Sequence, residues 1–108
     1  ADDVRGVVIC ANDADGFFSS GADINEFGGF TQESTEDPSR VFLFYEMEKH
    51  RKPVVAAVNG ICFGGALELA LCCSARVSTP AATFSLPELK IGLIPGYGGT
   101  QRLPRLVG

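Results

Sequence analysis

Pro53-Val54-Val55-Ala56-Ala57-Val58-Asn59-Gly60, followed within a few residues by Gly64-Gly65-Ala66-Leu67-Glu68-Leu69-Ala70-Leu71, is the stretch that decides the fold. Residues 53–60 are uncharged and rich in valine and alanine, which reads as a buried strand. Gly64 and Gly65 mark a tight turn, and residues 66–75, dense in leucine and alanine, predict a helix. A helix start leaves backbone N–H groups unpaired with a partial positive charge behind them. Glycines there let a ligand approach the backbone without a Cβ in the way, so the turn suits a phosphate or a developing oxyanion. Glu68 falls in the first turn of this helix, which is apolar nearly all round. A carboxylate with few routes to water, beside an anion-seeking backbone, is a candidate base.

Working outward, Val4 to Cys10 predicts another buried strand, and Asn12 to Gly16 has turn composition. Phe17 to Ile24 is richer in small residues than an ordinary strand end, and residues 28–37 read as a polar loop. Pro38 suits a first helical turn. The helix then runs from Val41 to His50, with Phe42, Tyr45 and Lys49 on one stripe and Phe44 and Met47 on another, so cover on more than one side is expected. After the Glu68 helix, Arg76 to Ser78 and Thr83 to Ser85 predict short strands around a turn at Pro80. Gly92 to Gly99 reads as a loop, with Thr100 capping a last helix that reaches Leu106. Strands alternating with helices imply crossover connections and a largely parallel α/β sheet.

The chain has 108 residues, 45% hydrophobic and 20% charged, the composition of an ordinary globular domain. No run approaches the ~18 consecutive apolar residues of a membrane span. A net charge of −4 argues against a general nucleic-acid binder. Cys10, Cys62, Cys72 and Cys73 lack metal-ligand spacing and read as reduced thiols of an intracellular protein.

Glu88 is the second carboxylate of interest. It follows Pro87, which fixes its backbone approach, and precedes an apolar run from Leu89 to Ile94. In isolation it reads equally as a surface acid paired with Lys90 or an arginine. Ser20-Gly21-Ala22-Asp23 offers a second set of backbone donors, or else a solvent-exposed turn. His50, between Lys49 and Arg51, reads as a solvated helix end, and Ser19, Ser20 and Ser85 have no histidine partner for hydrolase chemistry. If the fold joins Glu68 and Glu88 in one cavity, one can activate a water while the other transfers a proton.

In order and in spacing, these segments resemble the crotonase, or enoyl-CoA hydratase/isomerase, superfamily. The resemblance rests on residues 18–24, 52–60, 64–70 and 86–103, which span most of the chain. It implies a crotonase-like α/β core with mostly parallel strands, residues 1–108 forming the central part of one such domain in a longer chain. It further implies an acyl-CoA thioester as substrate, with the amides of Ala22 and Gly65 as oxyanion hole. Ala22, Asp23, Ile24, Asn25, Gly65 and Gly96 would contact the substrate, Gly96 helping to hold the water. By the same analogy Glu68 activates the water that adds to the β carbon and Glu88 delivers a proton to the α carbon. Family members dedicated to isomerisation often keep only the second acid, so the pair favours hydration. No metal or other cofactor is implied, since coenzyme A is part of the substrate. Ala66 and Ser20 depart from the family's frequent glycine and alanine.

The resemblance also implies a homo-oligomer, trimer or hexamer, when the chain is complete, or fusion to a hydroxyacyl-CoA dehydrogenase, which the ending Gln101 to Gly108 resembles. Without the remainder of the domain the 108-residue piece is expected to show little activity. Neither nucleic acid nor membrane is an expected partner, and among intracellular compartments the sequence makes no choice. The rivals are an enoyl-CoA isomerase or other crotonase reaction, and a non-catalytic assembly or RNA-binding relative. A dinucleotide-binding unit ranks last, because Gly60, Gly64 and Gly65 do not make a G-x-G-x-x-G pattern.

Overall fold

The structure, a computed structural model, describes residues 2–12, 16–21 and 38–108. In chain order the elements are β1 (Val7–Cys10), β2 (Phe17–Ser19), α1 (Pro38–Lys49), β3 (Val54–Val58), β4 (Ile61–Phe63), α2 (Gly65–Cys72), β5 (Ala75–Ser78), β6 (Thr83–Ser85), a 3₁₀ turn (Glu88–Ile91) and α3 (Gly99–Val107). Among the described residues all the strand pairs are parallel, in two three-stranded sheets ordered β1-β3-β5 and β2-β4-β6. The α/β expectation holds.

The core forms where the first sheet meets α2. Along β3 the side chains alternate, with Val54, Ala56 and Val58 buried and Val55 and Ala57 half-buried. The buried set packs with Leu67, Ala70 and Leu71 of α2, and Ile9 of β1 joins from beside Ala56. The helix is anchored at its far end too. Arg76 donates from Nη1 to the carbonyls of Ala70 and Cys73, each at 3.1 Å, supplying partners for the acceptors a helix C-terminus leaves over. Among the described residues, the opposite face of this sheet carries Val8 and Val77 exposed, so the continuous apolar pattern of β1 is not matched by burial on both sides.

Between β3 and β4 the chain changes sheets, whereas the sequence reading ends its strand at Gly60 and assigns no element to residues 61–63. Gly60 makes the change possible. Its φ is +76°, and a Cβ there would collide with the Gly16 carbonyl, so only glycine lets the two segments cross. Smaller differences follow the same logic of local competition. The Glu68 helix ends at Cys72, not Ala75, because Ala75 is taken into register with Val55. Helix α1 buries neither Phe42 nor Tyr45; Phe44 and Met47 form its inward stripe. Thr100 caps nothing, because Gly98 stands at the N-cap of α3 in a left-handed conformation with no side-chain bond. The four cysteines are free thiols.

Candidate active site

Two strand ends and two helix starts converge at Gly64-Gly65. Gly64 has φ +60° and ψ −131°, a backbone state closed to residues with a Cβ. Its amide donates to the Ser85 carbonyl at the end of β6 (2.9 Å), and its carbonyl accepts from the Glu68 amide (3.1 Å). The turn is thereby pinned between β6 and the first turn of α2. Gly65 opens the helix, where an amide has no acceptor within the helix itself. Gly65 also lies on the wall of a cavity of about 400 Å³, together with Phe18, Leu43, Phe44, Leu69 and Tyr97. Gly21 presses against the same turn, since a Cβ on it would stand 3.0 Å from the Phe63 carbonyl oxygen and 3.5 Å from the Gly65 nitrogen. Gly21 therefore lies beside Gly65. Ala22, Asp23, Ile24 and Asn25 themselves lie outside the described residues.

Glu68 is 2% exposed, the one charged residue in the core among those described. Its Oε2 accepts the amides of Tyr97 (2.6 Å) and Gly99 (2.8 Å). Gly99 is the first residue of α3, so the carboxylate also faces the positive end of a second helix. Burial pushes the Glu68 carboxyl above the usual carboxylate range; the amides of Gly99 and Tyr97 hold it back, Glu88 pushes it further up, and Arg102 opposes. The net direction is upward, towards a base that gains and loses a proton nearer neutrality.

Glu88 opens the 3₁₀ turn after Pro87 and is half-buried. Its Oε1 sits 3.1 Å from where a Cβ on Gly64 would stand. Its Oε2 is buried and has no hydrogen-bond partner among the described residues. Among those residues no ion pair joins it to Lys90 or an arginine. Glu68 and Glu88 thus flank the same glycine turn, near enough for the charge of one to perturb the other.

The cavity wall includes Gly65 and Tyr97 but neither glutamate. Tyr97 takes the place beside Gly65, with its ring 3.8 Å from the glycine's Cβ position and its centroid 5.2 Å from that of Phe44. Glu68 is held by the Tyr97 amide, and Glu88 Oε1 lies beside Gly64. Gly96 is exposed, and the amides that reach Glu68 are those of Tyr97 and Gly99. Sequence reading did not find those donors, because a backbone amide leaves no mark in residue type. His50 is exposed, with Nδ1 accepting the Lys52 amide at 3.2 Å, which fits a solvated helix end.

Known proteins share this arrangement of elements. The sequence matches the profile of the enoyl-CoA hydratase/isomerase family over residues 1–108. It is 49% identical over 111 residues to the peroxisomal fatty acid beta-oxidation multifunctional protein MFP2 of Arabidopsis thaliana, with 98% of this chain and 15% of that protein covered. It is 50% identical over 112 residues to the glyoxysomal multifunctional protein MFP-a of Cucumis sativus, covering 99% of this chain and 15% of the relative. Among solved structures, the enoyl-CoA hydratase of Thermoplasma volcanium GSS1 superposes with a TM-score of 0.89 at 36% identity, over 98% of this chain and 43% of that one. The chain therefore spans about 15% of the length of the curated relatives it matches.

Proposed function

The chain belongs to the enoyl-CoA hydratase/isomerase family, and on that premise we propose that its protein adds water across the 2,3 double bond of a 2-enoyl-CoA thioester in fatty-acid β-oxidation. The observation that carries the reading is the pair of acids at one glycine turn: Glu68 buried on two amides, Glu88 with a buried oxygen unpartnered among the described residues. Burying one carboxylate beside a second whose Oε2 is also buried is costly for folding, and a reaction that needs both supplies a reason for it.

In the proposed mechanism Glu68 takes a proton from water as the oxygen bonds to the β carbon. Electrons move through the double bond onto the thioester oxygen, which carries enolate charge. The amides of Gly65 and Ala22 stabilise that charge, a contribution of roughly 2.7–4 kcal/mol for each such donor. Glu88 then delivers a proton to the α carbon, so water is added and no electrons are lost. The thioester is its own electron sink, and no further cofactor is needed. The cavity beside Gly65, walled by Phe18, Leu43, Phe44 and Leu69, suits an apolar acyl chain or the pantetheine arm. Asp23, Ile24, Asn25 and Gly96 belong to the coenzyme A and water side of the same reading.

The relatives' names and the 15% coverage support a place within a larger fatty-acid β-oxidation polypeptide, and fusion to a hydroxyacyl-CoA dehydrogenase, which the ending Gln101 to Gly108 resembles, belongs to the same proposal. Self-association as trimer or hexamer belongs to the same proposal. The test is hydration of crotonyl-CoA by the full-length protein, followed as loss of the conjugated thioester's ultraviolet absorbance. Glu68→Gln and Glu88→Gln should each lower the rate by about 10²–10⁴. A near-normal rate in either variant removes the role given to that residue.

A further inference from the structure

Arg102 lies on α3, outside every role assigned so far, yet its side chain reaches the loop that holds Glu68. Nη1 donates to the Tyr97 carbonyl at 3.0 Å, and Nη2 donates to Glu48 Oε2 of α1 at 2.8 Å. The Arg102 side chain is 18% exposed, and its Nε is buried without a partner among the described residues. It lies across Gly98, close enough that a Cβ there would collide with Nη1. Tyr97 is consequently gripped on both sides, with its carbonyl held by Arg102 and its amide given to Glu68. The planar fork of arginine reaches two acceptors at fixed angles, which a lysine ammonium does not reproduce.

We propose that Arg102 is a positioning residue for Glu68: braced by Glu48, it fixes the loop from Tyr97 to Gly99 whose amides orient the carboxylate. The proposal rests on the reading of Glu68 as the base. The charge of Arg102 acts in the same direction as those amides, favouring the ionised carboxylate. The other groups facing Glu68 are Glu88, from the 3₁₀ turn, and Cys72 on its own helix; Arg102 in turn faces Glu48 from α1 and Cys72 from α2.

Steady-state hydration of crotonyl-CoA by the full-length protein, measured across pH for Arg102→Met, Arg102→Lys and Glu68→Gln, tests this. Arg102→Met should lower kcat about tenfold to hundredfold, as a misplaced catalytic group does, and should move the acid limb of the pH profile to higher pH. Its KM should stay within about twofold, since Arg102 is not on the cavity wall. Arg102→Lys should keep the acid limb in place while kcat still falls, because charge is retained and the fork is lost. An Arg102→Met acid limb that coincides with that of the unsubstituted protein, or a loss confined to KM, overturns the proposal. If Arg102→Met does not fold, an unchanged kcat in Arg102→Lys overturns it. An active Glu68→Gln variant would instead remove the base reading itself, whatever the arginine variants do.

Discussion

Exchanging either glycine of the helix-start pair for alanine should separate folding from function. At Gly64 the added methyl meets two obstacles. Its backbone, at φ +60° and ψ −131°, is one that L side chains avoid, at a cost of about 1–3 kcal/mol. Its Cβ would also stand 3.1 Å from Glu88 Oε1, so the acid must give way by a few tenths of an ångström. Taking about 2 kcal/mol and a urea dependence of about 2 kcal/mol per molar, the unfolding midpoint of this region should fall by about 1 M. Hydration should fall with it as Glu88 is displaced. Gly65 behaves differently. Its φ is not positive, and among the described residues a Cβ there meets only the Tyr97 ring edge at 3.8 Å, an ordinary contact. Gly65→Ala should leave the midpoint unchanged or slightly higher, since alanine favours a helix over glycine by up to about 1 kcal/mol. The methyl still projects at the cavity wall beside the donor amide, so kcat/KM should fall while stability holds. The assay is urea unfolding of the full-length protein, read by hydrogen-exchange protection of peptides covering residues 53–75, alongside hydration rates. A Gly64→Ala midpoint equal to that of the parent, or a Gly65→Ala variant less stable than Gly64→Ala, would refute the reasoning.

Two further outcomes are expected. Because burial raises the Glu68 carboxyl, the folded state binds that proton more tightly than the unfolded state does. This contribution to stability is full below the ordinary value of 4.5 and is lost as pH rises through the elevated folded value. Glu68→Gln should therefore be more stable than the parent at neutral pH, with the advantage vanishing in acid; denaturant unfolding at several pH values checks it, and a variant less stable at neutral pH contradicts it. Cys62 and Cys72 are buried, and burial pushes both thiols up to about 11, so neither should react with iodoacetamide at neutral pH until the protein unfolds. Exposed Cys10 should be labelled first, as mass spectrometry of digested peptides would show.

Much of the site was legible in the chain because burial and residue type conflict there. A glutamate amid leucines and alanines, just after paired glycines, has no solvent to face, and the structure places it in the core. The helix start was legible for a related reason, since Gly64 occupies a backbone state that other residues avoid. The crossing at Gly60 was not legible. Ile61-Cys62-Phe63 continues the apolar pattern of β3, and nothing in periodicity distinguishes a strand that bends into a second sheet from one that ends. The grip on Glu68 was hidden more deeply. Its donors lie 29 and 31 residues away and act through backbone N–H groups, which Tyr97 and Gly99 share with nearly every residue type. Arg102 could have been suspected from its spacing after Gly98 and Gly99, but its partner Glu48 is 54 residues distant on another helix.

The central claim is that Glu68 and Glu88 serve one reaction together, and the full double-mutant cycle of glutamine substitutions in crotonyl-CoA hydration tests it most directly. Two groups acting on the same water and the same enolate should be non-additive, so the doubly substituted enzyme should be little slower than the slower single variant. Losses that multiply, with the double variant slower by the product of the two single effects, would mean that the acids act independently and would contradict the account.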